Sequence, residues 1–231
     1  PYGTVLVIAP WNYPYQLSLL PVIGAIAAGN TVVLKPSELT PNTSQIVEKI
    51  IKTVFEESFV AVIQGDAKVA QELLKEHWDY IFFTGSVSVG KIVAQAAAHF
   101  LTATTLELGG KNPCIIDETA NIKLTAKRIT WGKFFNGGQT CIAPDYIIIH
   151  NSVKQQFIEA LRNEITVSYS SNTKESADFA RIINSNNFLR LTKMLKNEKI
   201  IIGGDIDEET LFIAPTIIDE PSLESEVMKD E

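Results

Sequence analysis

The sequence has little cysteine, little histidine and no concentrated positive charge. Two cysteines in 231 residues are too few for a disulfide framework, so we expect a reducing compartment, the cytoplasm. The formal net charge is −7 and no run of basic residues occurs, which argues against a nucleic-acid partner. The three histidines, His77, His99 and His150, stand apart from one another, so we expect structural or surface roles for them and no metal site.

Long apolar runs are also missing. No uninterrupted stretch approaches the roughly 18 residues that a membrane-spanning helix needs, and no charged-then-apolar signal opens the chain. The composition, 45% hydrophobic and 20% charged, is that of a soluble globular protein with a sizeable core. The chain starts without methionine and ends within a helical or turn-like pattern, so we expect it to be part of a longer protein.

Between residues 4 and 108, short β-rich segments alternate with longer helical patterns. The β-rich segments are nearly continuously apolar, which indicates strands covered on both faces; they read TVLVIA, NTVVLKP, FVAVIQG, YIFFTGS and TTLELGG. The four segments between them have apolar residues at helical spacing. This alternation predicts a doubly wound, mostly parallel, five-stranded sheet, with a ligand site at the polar and glycine-rich strand ends.

A second α/β unit is predicted after this sheet. It contains a strand at PCIID, a helix from about residue 119 to 135, the segment with the second cysteine, a strand at DYIIIH and another helix. Residues 168–178 are polar and rich in turn formers, so we predict a surface loop there.

Cys141 lies in the segment NGGQTCIAP, which suits a reactive thiol. Gly137 and Gly138 permit a close backbone approach and positive φ angles, and Pro144 follows soon after. A thiolate needs such a polar, accessible setting to act as a nucleophile, although a buried, inert turn cysteine fits the same residues. Cys114 lies in an apolar run and is predicted to belong to the core.

Two other strand ends carry candidate catalytic residues. Glu107, between two leucines in LELGG, could have a raised pKa and act as a general base, or it could face solvent at a strand end. Asn12, in APWNYP, could donate a hydrogen bond to a developing oxyanion, or it could be a structural residue before a turn.

The segment TGSVSVGK nearly matches a P-loop, but Ile92 occupies the position where a P-loop has Ser or Thr. Gly85, Ser86 and Gly90 could leave a helix N-terminus open to a phosphate or pyrophosphate. Equally, the glycines could serve helix packing.

The segment LKPSELTP places Lys35 and Glu38 three positions apart at a strand end. Such a pair can contact the hydroxyls of an adenosine ribose, and the acid would repel a 2′-phosphate. The alternative is a solvated turn in which Ser37 or Thr40 caps the next helix.

In their order and spacing, APWNYP, KPSE, FTGSVSVG, LELGGKNP and GQTC resemble the NAD(P)-dependent aldehyde dehydrogenases. The resemblance covers the whole chain and corresponds to about the middle half of a family member. It implies a Rossmann-like NAD(P)-binding domain in residues 1–110 and part of a catalytic domain in residues 111–231. The segments GKFFNGGQTCIAPDYIII and TLELGGKNPCIID are similar to the class 3 branch, whose members act on medium- and long-chain aliphatic or aromatic aldehydes.

The resemblance also implies a role for each candidate residue. Cys141 corresponds to the nucleophile, Glu107 to the general base, and Asn12 to an oxyanion donor beside the Cys141 backbone N–H. Glu231 corresponds to a contact with the nicotinamide ribose, provided that Ile-Phe-Gly-Pro follows it in the longer protein. The other implied contacts with the cofactor, NAD with NADP possible, are Trp11, Lys35, Glu38, Gly85, Ser86 and Gly90.

The implied reaction converts an aldehyde to a carboxylic acid through a thiohemiacetal and a thioester on Cys141. Because Glu107 would activate the hydrolytic water, its presence favours acid formation over acyl transfer to coenzyme A or phosphate. An acylating or reductive relative and a non-catalytic nucleotide-binding or scaffold protein are the alternatives. The resemblance further implies a homo-oligomer, and we expect the 231 residues alone to be inactive.

Overall fold

A computed structural model describes residues 1–231, and the chain forms two compact units, Pro1–Gly109 and Gly110–Glu231. Unit 1 contains two hydrophobic clusters and unit 2 contains one. None of the helices is both long enough and apolar enough to cross a membrane.

Unit 1 is the predicted doubly wound sheet. All neighbouring strands are parallel, in the order β3-β2-β1-β4-β5. The five strands are β1 (Thr4–Ile8), β2 (Thr31–Lys35), β3 (Val60–Val62), β4 (Tyr80–Gly85) and β5 (Ala103–Leu108). The four helices are α1 (Pro14–Ala27), α2 (Pro41–Val54), α3 (Ala67–Leu73) and α4 (Val87–Phe100). The fold class predicted from the strand and helix patterns is therefore confirmed.

Both faces of this sheet are buried, as the side chains of β1 illustrate. Val5 and Val7 pack into a cluster that includes Val22 of α1, whereas Leu6 and Ile8 pack into the cluster on the opposite face, which includes residues of α4. Because successive side chains of a strand point to opposite faces, both must be apolar here. This burial explains why the strands read as nearly continuous apolar runs.

The order of the strands changes direction between β1 and β4. The chain builds β2 and β3 on one side of β1 and then crosses to place β4 and β5 on the other side. In open parallel sheets, ligands bind beyond the carboxyl ends of the strands at such a switch point. Residues 9–13 follow the end of β1 and Ser86 follows the end of β4, so both lie at this edge.

Unit 2 begins with the predicted strands and helices. Strands β6 (Pro113–Ile116) and β7 (Tyr146–Ile149) pair in parallel, and each is followed by a helix, α5 (Ile122–Phe134) or α6 (Asn151–Tyr169). The remaining elements, which the sequence patterns did not predict, are α7 (Ser185–Met194), β8 (Ile200–Ile202), β9 (Ile206–Asp207), β10 (Phe212–Ile213), β11 (Ile217–Ile218) and α8 (Glu226–Lys229). They include two antiparallel pairs, β9 with β10 and β8 with β11.

The loop predicted at residues 168–178 begins two residues later than expected. Helix α6 continues to Tyr169, and residues 170–178 contain no helix or strand. The Tyr169 ring is buried and lies 5.1 Å from the ring of Phe179, which in turn contacts Phe212. The polar composition of residues 168–178 gives no indication of this aromatic packing. The packing holds Tyr169 and Phe179, at the two ends of the loop, against the core.

Candidate functional site

The cysteine segment follows a left-handed turn at the end of α5. Asn136, Gly137 and Gly138 have φ angles of 58°, 63° and 82°. This region of backbone space is open to glycine and tolerated by asparagine. The turn redirects the chain toward Cys141, which is half-buried, so the two glycines have the backbone role that the sequence predicted.

Asn112 holds the cysteine segment from one side. Its Nδ2 donates hydrogen bonds to the carbonyl oxygens of Cys141, at 2.7 Å, and Ala143, at 3.1 Å. The carbonyl oxygen of Asn112 accepts a hydrogen bond from the backbone N–H of Asp145 at 2.9 Å. Sequence reasoning missed Asn112, because its role depends on partners about thirty positions away in the chain.

Gln139 holds the same segment from the other side. Its Nε2 donates to the carbonyl oxygen of Arg181 at 3.1 Å, and its Oε1 accepts from the N–H of Ile183 at 2.9 Å. The amide of one side chain therefore joins the cysteine segment to residues 181–183. Because both ends of the amide are used, a shorter or charged side chain at this position would break at least one of the two hydrogen bonds.

The two cysteines differ in their surroundings, and neither forms a disulfide. Cys114 in β6 packs against the hydrophobic cluster of unit 2, and burial raises the pKa of its thiol. A higher pKa reduces the thiolate fraction at neutral pH. These observations support the prediction that Cys114 is a core residue.

Three charged residues lie beside the cysteine segment. Lys111 and Lys133 both form ion pairs with Asp145, the latter at 3.9 Å. Burial lowers the pKa of Lys133, and the charge of Asp145 opposes this effect. Lys111 also donates to the carbonyl oxygen of Val227 at 2.6 Å. These contacts give the cysteine segment a charged, hydrogen-bonded border that the sequence motifs did not indicate.

Glu231 contacts the start of unit 2. Its Oε2 accepts a hydrogen bond from the N–H of Gly110 at 3.0 Å, and its backbone oxygen accepts one from the guanidinium of Arg190. Glu231 is exposed. Its contact with a nicotinamide ribose therefore stays a prediction.

At the end of β1, a backbone hydrogen bond orients the Asn12 side chain. Its Oδ1 accepts from the N–H of Tyr13 at 3.1 Å, so the oxygen end of the amide faces the backbone and Nδ2 is the donor end. Pro14 starts α1 directly afterwards, in the helical position that proline favours. Trp11 and Asn12 are both half-buried.

Lys35 and Glu38, at the end of β2, form an ion pair. Lys35 is 3% exposed and its Nζ lies 2.5 Å from Glu38 Oε2. A buried ammonium group needs such a partner. The capping alternative is wrong, because neither Ser37 nor Thr40 caps α2 with its side chain. Ser37 is buried and its Oγ accepts from Leu39 N, so its hydroxyl serves the turn itself.

Helix α4 starts at the end of β4 with Ser86 as its cap. Ser86 Oγ accepts from the N–H of Val89 at 3.4 Å. A Cβ atom at Gly85 would lie 2.6 Å from the Phe83 ring, and one at Gly90 would lie 2.7 Å from Leu108 of β5. The packing interpretation of these glycines is therefore supported. The exposed helix N-terminus is still compatible with a phosphate nearby.

Glu107 lies one residue before the end of β5, opposite Thr84 of β4. Its side chain is exposed and is not enclosed by the two flanking leucines, which differs from the apolar environment considered in the sequence analysis. The reason is the strand period: Leu106 and Leu108 share a face and pack against the cluster beneath α4, whereas Glu107 points to the other face.

Within unit 1, the parallel strands bring several candidate residues to one edge. Asn12, Lys35, Gly85 and Glu107 lie at or just beyond the carboxyl ends of four strands of the same sheet. Cys141 and Glu231 belong to unit 2. No group of three or more His, Cys, Asp and Glu side chains that could hold a metal ion occurs in residues 1–231.

Curated relatives match the chain along its whole length. The chain is 49% identical over 233 residues to the 4,4'-diaponeurosporen-aldehyde dehydrogenase of Staphylococcus aureus, covering 100% of this chain and 51% of that protein. It is 47% identical to aldehyde dehydrogenase family 3 member A2 of Macaca fascicularis, covering 100% of this chain and 48% of that protein. It is 45% identical to the dimeric NADP-preferring aldehyde dehydrogenase of Canis lupus familiaris, covering 100% and 51%. The chain thus spans about half the length of these relatives.

Solved structures show the same likeness. A substrate-bound Staphylococcus aureus AldH has a TM-score of 0.94 and 49% identity, covering 100% of this chain and 51% of that chain. The Mycobacterium tuberculosis aldehyde dehydrogenase complexed with NAD+ has a TM-score of 0.90 and 27% identity, covering 100% and 50%. The profile of the aldehyde dehydrogenase family matches residues 1–231. The chain therefore belongs to the aldehyde dehydrogenase family.

Proposed function

We propose that the whole protein carrying this chain oxidises an aldehyde to the carboxylic acid with NAD(P)+. The chain belongs to the aldehyde dehydrogenase family, and the observation that carries the proposal is the way its Cys141 segment is held. Asn112 bonds to the Cys141 carbonyl oxygen and Gln139 bonds to residues 181–183. A cysteine fixed in this way, without a disulfide, suits covalent catalysis. We assign residues 1–110 to NAD(P) binding and residues 111–231 to catalysis.

The residues of unit 1 fit a dinucleotide. The buried Lys35 and its partner Glu38 provide a donor and an acceptor for a ribose diol at the end of β2. The N-terminus of α4, capped by Ser86, provides backbone dipoles for a pyrophosphate at the end of β4. We assign further cofactor contacts to Trp11, Gly85, Gly90 and Glu231. The Mycobacterium tuberculosis structure with NAD+ and the NADP-preferring relative from dog support either cofactor.

In the first chemical step, the Cys141 thiolate adds to the aldehyde carbon and forms a thiohemiacetal. The Nδ2 of Asn12 and the backbone N–H of Cys141 donate hydrogen bonds to its oxyanion. The orientation of Asn12 supports this role, because its Oδ1 is turned toward Tyr13 N. When bound, the nicotinamide supplies the hydride acceptor. Loss of hydride leaves a thioester on Cys141.

In the second step, Glu107 removes a proton from a water molecule that attacks the thioester carbon. The C–S bond breaks, Cys141 leaves as a thiolate and the carboxylic acid is released. The net reaction consumes one aldehyde, one NAD(P)+ and one water. It yields the protonated carboxylic acid, NAD(P)H and one proton. Within residues 1–231 the Glu107 side chain is exposed, which is compatible with a water molecule beside it.

The substrate class that we propose is a medium- or long-chain aliphatic or aromatic aldehyde. Support comes from the resemblance of the sequence to the class 3 branch and from the relatives, which include aldehyde dehydrogenase family 3 member A2 and the 4,4'-diaponeurosporen-aldehyde dehydrogenase. The dog relative is named dimeric, and we likewise propose that the whole protein forms a homo-oligomer.

The test is an assay of NADH absorbance at 340 nm with the whole protein and a medium-chain aldehyde. Cys141→Ala is expected to lower kcat by about a thousandfold or more, because the covalent route is lost. The matched control, Cys114→Ala, removes the other thiol and should retain most of the activity. Full activity in Cys141→Ala would contradict the proposal. Acyl transfer to coenzyme A in preference to water would instead identify an acylating enzyme, and aldehyde-independent NAD binding without turnover would identify a non-catalytic protein.

A further inference from the structure

The stretch from residue 141 to 146 is tied to one residue, Asn112, at several points. The side-chain Nδ2 of Asn112 donates to the carbonyl oxygens of Cys141 and Ala143. Its backbone carbonyl oxygen accepts from Asp145 N at 2.9 Å and from Tyr146 N at 3.4 Å. Asn112 itself is fixed, since it directly precedes β6, which pairs with β7 along four residues.

Within residues 1–231, side-chain packing next to the cysteine is sparse, because Ile142 is 81% exposed. Ala143 is buried but has only a methyl group. The peptide that begins at the Cys141 carbonyl carbon is therefore constrained by hydrogen bonds, from the Asn112 amide and from Ala143 N to the carbonyl oxygen of Thr140 at 2.9 Å. An amide suits this role because its nitrogen carries two hydrogens, which Asn112 shares among the carbonyl oxygens of Cys141, Ala143 and, at 3.3 Å, Gly110.

We propose that Asn112 is the positioning residue of Cys141. This inference rests on the proposed function, in which Cys141 is the nucleophile. By holding the Cys141 carbonyl, the Asn112 amide restrains the ψ rotation at Cys141, and with it the position of the Cα that carries both the thiol side chain and the backbone N–H. A nucleophile and an oxyanion donor on the same residue then keep their mutual orientation as the aldehyde carbon becomes tetrahedral.

The experiment compares Asn112→Ala and Asn112→Asp in the whole protein. Asn112→Asp keeps the size of the side chain but removes both N–H donors and turns a carboxylate oxygen toward the carbonyls. Both variants are expected to lower kcat by about tenfold to a hundredfold, because small misplacements of reacting groups have effects of this size. The KM for NAD(P)+ should change less than about twofold, since the proposed cofactor contacts of unit 1 are unaltered.

The second readout is the rate at which iodoacetamide alkylates Cys141, followed by mass spectrometry of its peptide over a range of pH. The Asn112 variants should change the limiting rate at high pH, where the thiol is fully ionised and its exposure and direction set the rate. The matched control is Asn121→Ala, which removes the cap from α5 and costs about 1 kcal/mol of stability. It should leave both kcat and the limiting alkylation rate within about twofold of the unsubstituted protein.

Each result bears on one of the two proposals. If both Asn112 variants keep kcat and the alkylation rate, or change them no more than Asn121→Ala does, Asn112 has only a structural role and the inference is overturned. If either variant fails to fold, Asn112→Ser, which retains one donor, is expected to change the limiting alkylation rate by more than the twofold allowed for Asn121→Ala, and an unchanged rate would overturn the inference. Failure of the proposed function is detected by a different result, namely full activity in Cys141→Ala.

Discussion

At the scale of single residues, the role of a side-chain amide depends on which of its atoms are hydrogen-bonded to backbone groups. The Oδ1 of Asn12 is turned toward Tyr13 N, which orients the amide for donation. The side chains of Asn112 and Gln139 are occupied with backbone groups of unit 2. Asn112 and Gln139 therefore shape the segment around Cys141, whereas the role of Asn12 as an oxyanion donor belongs to the proposed function.

Replacement of Glu38 tests the assignment of the adenosine site. The carboxylate of Glu38 would repel a 2′-phosphate, so Glu38→Gln is expected to raise the ratio of kcat/KM for NADP+ to that for NAD+ by about tenfold, equivalent to about 1.4 kcal/mol. The ratio is measured with initial rates of aldehyde oxidation by the whole protein. Glu76→Gln, which removes an exposed carboxylate elsewhere in unit 1, should leave the ratio unchanged. An equal response in both variants would rule out a specific role for Glu38.

At the scale of secondary structure, whether a strand or helix can be predicted from the sequence depends on its length and burial. Strands β1 to β5 were predictable because both faces of the sheet are buried and the strands are apolar throughout. The strands β8 to β11 have two or three residues each, too few to show a period. Tyr169 extended α6 into a polar segment because its ring packs on Phe179, a contact between residues ten positions apart that composition does not reveal.

The same limit applies to the candidate site. Cys141 and Glu107 could be singled out from their motifs, because glycines and apolar neighbours mark unusual local settings. The exposure of Glu107 could not, since it depends on which face of β5 is covered by α4. Asn112 gave no local signal, because what distinguishes it is a pair of carbonyl partners brought close by the pairing of β6 with β7.

The short antiparallel strands of unit 2 depend on a glycine between β8 and β9. Gly203 has a φ of 71°, and a Cβ atom there would lie 2.0 Å from the carbonyl oxygen of Pro215. Gly203→Ala is therefore expected to lower the free energy of unfolding by about 2 kcal/mol or more, through backbone strain and a clash with main chain. Urea unfolding of the whole protein, followed by circular dichroism, measures the change.

The matched control for this substitution is Gly132→Ala in α5. There a Cβ atom would make only an ordinary contact, 3.5 Å from Pro144 Cδ, and alanine favours the helix by up to about 1 kcal/mol. The control should be neutral or stabilising. A loss of stability in Gly132→Ala as large as in Gly203→Ala would mean that the predicted strain at Gly203 is not the cause.

At the scale of the whole molecule, the chain forms two units, each with its own hydrophobic core, and spans about half the length of its curated relatives. The proposed mechanism takes Asn12 and Glu107 from unit 1 and Cys141 from unit 2. We therefore propose aldehyde oxidation for the whole protein and not for the 231 residues alone. That the 231 residues alone are inactive stays a prediction.

In the proposed mechanism, Cys141 carries an acyl group that water activated by Glu107 removes. The most direct test incubates the whole protein bearing Glu107→Gln with NAD+ and a medium-chain aldehyde, and measures the mass of the Cys141 peptide after rapid acid quenching. We expect one burst of NADH and a Cys141 peptide heavier by the mass of the aldehyde less two hydrogens. Absence of the adduct from Cys141 while the variant still oxidises the aldehyde at an undiminished rate would contradict this mechanism.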